Sequence, residues 1–301
     1  MPAEPSRRRR PHRALGLALV TALVAVAAWS HDLAPSAAIA DVESDELHVM
    51  SFNLRHATAP GPSWRVRRPL VRALIHQEEP HLVGTQEGQP EQLAEIDEDL
   101  GRRYGSLRRG KHAQEPQFFF DRRRLRPLET GHYALSDAPD EVGSRGWGGC
   151  CARSVFWVRF RDEVTSQQFY AVNTHLEAFS ARARRKSAAL ILERMQAFDS
   201  TLPVVLTGDF NEPAGQGRPV HRQLVGSGRF VDTWEQAARR SKLVGTFHKF
   251  GRRKREGGRI DWVLTSPGVT TRRAAINTFA VGGRYPSDHF PVQAVIRFPT
   301  P

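Results

Sequence analysis

Residues Val204–Asn211 read V-V-L-T-G-D-F-N, and this stretch decides the fold. The apolar and β-branched run from Val204 to Thr207 predicts a buried strand, and Gly208 predicts the point where it ends. Asp209 and Asn211 then carry a carboxylate and an amide at that end. Because the ends of strands in an open sheet converge on one crevice, this stretch predicts a ligand or catalytic site there.

The same arrangement recurs on both sides of this stretch. Asn53 could cap a turn, Glu87 could cap the next helix, and His175 could be an ordinary core histidine. The recurrence of such residues at successive strand ends favours a shared site. The segments are F-N53, T-Q-E87, N173-T-H175, R-I-D261 and S-D288-H289.

Apolar alternation predicts further strands, among them Leu47–Phe52, Leu82–Gln86 and residues 154–160. A helix is predicted where Val66, Leu70, Ala73 and Leu74 face the core beneath an arginine-rich surface. Other helices are predicted near residues 92–100, 181–198, 219–225 and 234–240. Strands outnumber helices, and hairpins mix with crossovers. The pattern predicts an α/β (α+β) four-layer sandwich, in which two packed mixed β-sheets are flanked by helices.

The side chains at the strand ends also limit which metal ions and which classes of enzyme are possible. Hard oxygen ligands such as Glu87 select magnesium, manganese or calcium rather than zinc. The sequence has no H-E-x-x-H, G-x-S-x-G or Walker loop. The zinc-protease, serine-hydrolase and nucleotide-kinase classes are therefore excluded.

Six motifs resemble the endonuclease/exonuclease/phosphatase superfamily, in its order and over residues 47–298. They are M-S-F-N53-L-R, G-T-Q-E87, N173-T-H175-L-E, T-G-D209-F-N211, R-I-D261-W-V and P-S-D288-H289-F-P-V. The resemblance implies a metal-dependent phosphoric ester hydrolase. A non-catalytic module on the same fold would have lost some of these residues, and none is missing.

The resemblance also implies a role for each residue. Glu87, Asn53 and Asp288 would hold Mg²⁺, or Mn²⁺ or Ca²⁺ in its place. Asp209 would orient or deprotonate the attacking water, and Asn211 would bind the phosphate together with Arg153 and Asn173. His289 would contact the phosphate and pair with Asp261, and His175 would pair with Glu115. Trp147 and His248 could line the cleft or could simply be packing and turn residues.

Charge bears on the substrate. The formal net charge is +12, and residues 1–40 contain five arginines and two acids, so residues 41–301 carry +9. Basic clusters occur at residues 108–111, 122–124 and 252–255. We therefore expect a monomeric phosphodiesterase that acts on nucleic acid. The alternatives are a phospholipid or sphingomyelin phosphodiesterase, drawn to anionic headgroups, and an inositol or sugar phosphate phosphatase. A solvated basic surface is an equally good explanation of the clusters.

The first 40 residues predict export. Five arginines, Arg7 to Arg10 and Arg13, precede an apolar run over residues 14–29, and Ala38-Ile39-Ala40 offers a cleavage site. We expect residues 1–40 to be a signal and residues 41–301 to be a single secreted catalytic domain. An uncleaved membrane anchor is the alternative. The adjacent Cys150 and Cys151 are expected to be structural or reduced, with no acid nearby to complete a metal site.

Overall fold

The structure is a computed structural model that describes Met1 and residues 42–107, 116–251 and 257–299. The predicted export signal, Glu115 and two of the three basic clusters lie outside the described residues. Within the described part of the chain, no helix combines the length and the apolar character that crossing a membrane requires. The division into a signal and one catalytic domain stays a prediction.

Apolar alternation and capping residues set the elements. Helix α2 begins with Pro90 after Gln89, whose side chain exchanges hydrogen bonds with Gln92, and α3 is capped by Ser180. In the described residues the strands are β1 (Leu47–Asn53), β2 (Leu82–Gln86), β3 (Tyr104–Leu107), β4 (Gln117–Asp121), β5 (Leu125–Ala134), β6 (Ser154–Asp162), β7 (Gln168–His175), β8 (Val204–Asp209), β9 (Val231–Asp232), β10 (Arg239–Arg240), β11 (Asp261–Thr265), β12 (Thr270–Ile276) and β13 (Val292–Arg297), and the helices are α1 (Trp64–Glu78), α2 (Pro90–Leu100), α3 (Ala181–Arg194), α4 (Pro219–Val225) and α5 (Thr233–Gln236).

These strands form two mixed sheets, as the sequence predicts. Among the described residues, the first sheet has the order β10-β12-β13-β1-β2-β4-β3, and the second has the order β5-β6-β7-β8-β11-β9. In the first sheet β1 and β2 are parallel, and in the second β7 and β8 are parallel. The ends of these four strands carry most of the predicted site residues.

Side-chain alternation builds three apolar layers. Leu47 and Val49 of β1 face a central core shared with β6, β8 and β11, which joins the two sheets. Met50 and Phe52 point the other way, toward α1 and α2. A third layer packs α3 and α4 on the outer face of the second sheet. The four-layer prediction is confirmed.

Two helix predictions need correction. The buried face of α1 is formed by Arg67, Val71, Leu74, Ile75 and Glu78, whereas Val66 and Ala73 are exposed. The buried face of α1 is therefore rotated relative to the predicted one. The prediction placed the arginines on the outer face, whereas Arg67 is buried. The predicted helix over 234–240 is only the single turn of α5, and residues 239–240 pair with β12. Strands β3 and β12 were not predicted.

The two cysteines differ from expectation. Cys150 and Cys151 form a disulfide, and the Sγ atom of Cys150 lies 3.6 Å from Oε2 of Glu177. The prediction that no acid lies nearby is wrong, because β7 is followed by a loop that returns Glu177 to the cysteines.

The described basic cluster, residues 122–124, lies away from the predicted site. It follows β4, whose Phe120 pairs with Leu82 at the start of β2, whereas Glu87 follows the opposite end of β2. Arg124 is buried and donates to Asp162 and to the carbonyl of Ser44, and Arg123 donates to Asp121. These arginines serve internal ion pairs at the far end of the sheet.

Candidate active site

The strand ends bring the predicted residues together in one cavity. Asn53 ends β1, Glu87 follows β2, His175 ends β7 and Asp209 ends β8. Because β11 runs antiparallel to β8, its first residue, Asp261, lies directly opposite Asp209. The two sheets therefore contribute to the same cavity from its two sides.

Asn53 joins the acidic groups of the two sheets. Its Nδ2 atom donates to Oε1 of Glu87 at 3.1 Å and to Oδ2 of Asp209 at 3.0 Å. Its Oδ1 atom accepts the backbone N–H of Arg55 at 2.9 Å. In this arrangement Asn53 faces the carboxylates as a hydrogen-bond donor, which fixes Glu87 and Asp209 relative to each other.

His289 and Asp261 form the predicted carboxylate–imidazole pair. The Nδ1 atom of His289 lies 3.0 Å from Oδ2 of Asp261, and Nε2 lies 3.8 Å from Oδ2 of Asp209. Burial alone would lower the pKa of His289, but the carboxylates of Asp261 and Asp209 raise it to about 10. The imidazole is therefore held as a cation whose Nδ1–H donates to Asp261 and whose Nε2–H faces the cavity.

Asp209 is the carboxylate that can exchange a proton near neutrality. Burial raises the pKa of Asp209, and the nearby Asp261 raises it further, while His289 and the N–H groups of Asn211 and Asn53 oppose the rise. The resulting pKa is about 7. A carboxylate with such a pKa suits the predicted role of accepting a proton from water.

His175 has two hydrogen-bonding neighbours in the described part of the chain, Arg153 and Asn211. Within the described residues, Nη1 of Arg153 lies 2.8 Å from Nδ1 of His175, and Asn211 lies 3.1 Å from Nε2. Burial and the adjacent Arg153 lower the pKa of His175 well below its usual value. His175 is therefore neutral and accepts from Arg153 at Nδ1. The predicted partner, Glu115, lies outside the described residues.

Two residues of the cavity have backbone conformations that L-residues seldom adopt. Glu87 has φ +62° and Asn211 has φ +49°. Such left-handed conformations cost free energy and persist where surrounding contacts impose them, which is common at functional sites. The Asn211 amide also donates to the carbonyl of Leu176, which fixes its direction.

Asn173, which was predicted to bind phosphate, has its side-chain amide engaged in hydrogen bonds within the protein. Its Nδ2 atom donates to the carbonyls of Thr85 and Gln117, both at 2.9 Å. Its Oδ1 atom accepts from Nε2 of Gln86 at 2.8 Å and from Oγ1 of Thr207 at 3.1 Å. The side chain is fully buried between the two sheets. Its amide atoms are engaged in joining the sheets and have no access to a substrate.

The oxygen donors fit a hard divalent cation. Glu87 and Asp288 share a positive neighbour, Arg55, whose Nε lies 3.4 Å from Oδ2 of Asp288 and whose Nη1 lies 4.0 Å from Oε2 of Glu87. Burial opposes ionisation of Glu87, but the surrounding cations and the Asn53 amide keep its pKa below the usual range. Two carboxylates directed at one positive group are the donors that magnesium, manganese or calcium would use. A second group of close donor atoms comprises Asp209, Asp261 and His289.

Arg67 supports the segments around the site, which the sequence pattern did not lead us to expect. Its side chain is 1% exposed, and it donates to the carbonyls of Leu54 (2.6 Å) and Pro286 (3.1 Å). It also reaches the carbonyls of Arg55, His56 and Pro62. Arg67 thereby holds together the segment after Asn53 and the segment before Asp288. The signal was present, because Arg67 shares the helical spacing of Val71, Leu74 and Glu78.

Two roles were predicted for His248, a cleft residue or a turn residue, and its placement disagrees with the first. Its ring is buried and stacks on Phe290, with ring centroids 3.8 Å apart. Its backbone N–H donates to the carbonyl of Asp288 at 2.9 Å. His248 is a packing residue beneath the site and does not line the cleft. Trp147 is half-buried, and its Nε1 atom donates to Asp137.

Known proteins share both the sequence pattern and the fold. Residues 50–289 match the model of the Endonuclease/Exonuclease/phosphatase family. A protein of that family from Bacteroides thetaiotaomicron is 30% identical, with a TM-score of 0.78 over 85% of this chain and 98% of its own. A mannosyl-6-phosphatase from Bacteroides thetaiotaomicron VPI-5482 is also 30% identical, with a TM-score of 0.77 over 84% of this chain and 100% of its own. TDP2 from D. rerio, solved with a single-stranded DNA product, shares the fold at 16% identity, with a TM-score of 0.67 over 84% of this chain and 99% of its own. No curated protein matches.

Proposed function

The chain belongs to the endonuclease/exonuclease/phosphatase family and is a metal-dependent phosphoric ester hydrolase, and from this premise we propose that its substrate is a phosphate monoester of a soluble sugar or polyol. The observation that carries the proposal is the 30% identity to a mannosyl-6-phosphatase over that protein's whole length. The position of residues 122–124 at the far end of the sheet also favours a small substrate over a polyanion that follows a basic track.

The geometry indicates how the residues would act on such an ester. The ester phosphate lies against the Nε2–H of His289 and the amide of Asn211, and Arg153 supplies further positive charge. Asp209 accepts the proton of a water molecule that attacks phosphorus, which its pKa of about 7 permits. The bond from phosphorus to the alcohol oxygen breaks as the new bond forms, and the departing alcohol takes up a proton from solvent. Asp261 keeps His289 charged and correctly oriented. A divalent cation held by Glu87 and Asp288 would draw charge from the phosphate oxygens, and we propose magnesium or manganese for this role.

Nucleic acid is the second candidate substrate. The net charge of +9 for residues 41–301 favours binding to a polyanion, and two basic clusters lie outside the described residues. Phospholipid headgroups are a further alternative, whereas inositol phosphates fall within the proposed class as phosphate esters of a polyol. We also propose that residues 1–40 direct export and that the enzyme acts outside the cytoplasm as a monomer, because the arginine-rich start precedes an apolar run and an A-x-A site.

A substrate panel tests the proposal. Mannose 6-phosphate, glycerol 3-phosphate, inositol phosphates, sphingomyelin, plasmid DNA and RNA would each be incubated with the enzyme and Mg²⁺, and with chelator in place of Mg²⁺. Release of phosphate from the two small monoesters, at rates well above any cleavage of DNA, RNA or lipid, is expected. Preferential cleavage of plasmid DNA or RNA would refute the proposal in favour of the nucleic-acid candidate.

A pair of variants links the panel to the described site. Asp209→Asn removes the buried carboxylate that faces Asn53 and His289, and activity should be lost. Asp199→Asn makes the same change at an exposed turn, where the carboxylate accepts hydrogen bonds from Thr201 and lies outside the site, and activity should be retained. Equal rates for the two variants would mean that the measured activity does not come from this cavity.

A further inference from the structure

The loop of residues 177–180, directly after β7, has a tightly fixed backbone. Nη1 of Arg184 donates to the carbonyls of Glu177 and Ala178, both at 2.9 Å. The N–H of Phe179 donates to Oε1 of Glu177 at 3.1 Å, and Ser180 caps α3 by accepting the N–H of Ala183. The Ser180 hydroxyl also reaches the carbonyl of Trp147 at 3.4 Å. The loop is therefore held by its own helix and by the neighbouring loop.

The ring of Phe179 is nevertheless left in solvent. Its side chain is 85% exposed, more than any other large hydrophobic residue of the described ranges except Met1. A single exposed apolar residue on a surface is ordinary, but this ring is displayed on a fixed backbone at the catalytic end of β7. Fixing an aromatic ring before a ligand arrives reduces the entropy that binding must overcome.

The position of the loop is tied to the phosphate-binding groups. The buried carboxylate of Glu177, which accepts the N–H of Phe179, also lies 3.8 Å from Nε of Arg153. Arg153 in turn contacts His175 at 2.8 Å. One carboxylate thus fixes both the arginine that would face the phosphate and the backbone that carries Phe179. Phe179 therefore lies four residues after His175, on a loop whose backbone is tied through Glu177 to Arg153.

We propose that Phe179 determines specificity by stacking on the apolar C–H face of a pyranose ring in the leaving group. The inference rests on the proposed phosphomonoesterase function and names the part of the substrate that the site recognises beyond the phosphate. A lipid would need a broader apolar patch, whereas one aromatic ring matches one sugar ring in size.

The experiment compares two monoesters that share the phosphate and differ in the ring. For mannose 6-phosphate and glycerol 3-phosphate, kcat/KM would be measured in the wild type, in Phe179→Ala and in Phe179→Trp. An aromatic stacking contact changes affinity by about 3- to 10-fold. Phe179→Ala should therefore lower kcat/KM for mannose 6-phosphate, relative to that for glycerol 3-phosphate, by the same factor. Phe179→Trp restores an aromatic face and should preserve the ratio.

Val164→Ala is the matched control. Val164 is also an exposed apolar residue, but it lies in the turn between β6 and β7, at the end of those strands opposite to Arg153 and His175. Its loss should leave the substrate ratio unchanged. Thermal unfolding should give similar Tm values for all three variants, because the altered side chains are exposed.

The outcomes separate the two proposals. The wild type could cleave both monoesters while Phe179→Ala leaves both kcat/KM values unchanged or lowers them equally. In that case the role of Phe179 is overturned and the proposed function stands. If the wild type releases phosphate from neither monoester, the proposed function fails and the role of Phe179 fails with it.

Discussion

Replacing Arg67 with methionine tests what the buried arginine of α1 contributes to stability, as distinct from the more exposed arginines of the same helix. Methionine keeps a long apolar stem but has no donors. The change removes the donors from five carbonyls, two of which, those of Leu54 and Pro286, are in fully buried hydrogen bonds. Burial lowers the pKa of Arg67 to about 10, so the guanidinium remains charged at neutral pH in the wild type.

The magnitude follows from the two buried carbonyls. A buried acceptor left without its partner costs about 1–3 kcal/mol, so two of them lower the free energy of unfolding by about 2–6 kcal/mol. The variant no longer buries a guanidinium, which places the expected value in the lower half of that range. In a domain of this size, each 1 kcal/mol corresponds to about 2–4 °C in Tm. We therefore expect Tm to fall by at least about 4 °C.

Urea denaturation followed by tryptophan fluorescence would measure the stability, and calorimetric titration would measure Mg²⁺ affinity. The affinity should also fall, because Arg67 holds the segments that carry Asn53 and Asp288. Arg68→Met is the control, since Arg68 makes its ion pairs with Glu95, Glu98 and Asp99 at the surface. Arg68→Met should change the stability and the Mg²⁺ affinity less than Arg67→Met does. If both variants showed the same stability and the same Mg²⁺ affinity, the assigned role of Arg67 would be refuted.

Three other predictions concern catalysis, the metal and acid stability. His289→Ala and Asp209→Ala should each lower kcat by at least about 100-fold without a large change in Tm, and near-normal rates would contradict their assigned roles. Excess EDTA should abolish phosphate release, and added Mg²⁺ or Mn²⁺ should restore it; full activity in EDTA would rule out the metal mechanism. Burial lowers the pKa of His48 to about 3 and that of His81 to about 4. Because the unfolded chain takes up these protons near pH 6.5 and the folded chain does not, the free energy of unfolding should fall as pH drops from 6.5 toward 4, by up to about 1.4 kcal/mol per pH unit for each histidine. His48→Leu should flatten this dependence in urea denaturation at several pH values, and an unchanged slope would show that His48 does not cause it.

The predicted site residues were found from local patterns. Each apolar strand that ends in a carboxylate, amide or imidazole is visible as a short run of sequence, and parallel neighbours such as β1 and β2 place their ends at the same edge. Asn53, Glu87, Asp209 and His289 therefore meet as expected. The His289–Asp261 pair was also expected, and its two residues lie 3.0 Å apart.

The contacts that the sequence did not reveal depend on which surfaces meet. Asn173 carries an amide near the end of a strand, which is what the sequence pattern leads one to expect of a phosphate-binding residue. Only the packing of one sheet on the other shows that its amide is used by Thr85, Gln117 and Gln86. His175 likewise required the structure, because its neighbour Arg153 lies before a different strand, β6.

The sequence by itself determined the order of the strands along the chain, the residue types at their ends and the family to which those motifs point, because all three are properties of short segments. Tertiary structure alone decided which carbonyls Arg67 reaches, that Asn173 joins the sheets and that Glu177 connects Phe179 to Arg153. The physical reason is that a polar side chain has no fixed role until its hydrogen-bond partners are chosen, and those partners come from segments far away in the chain.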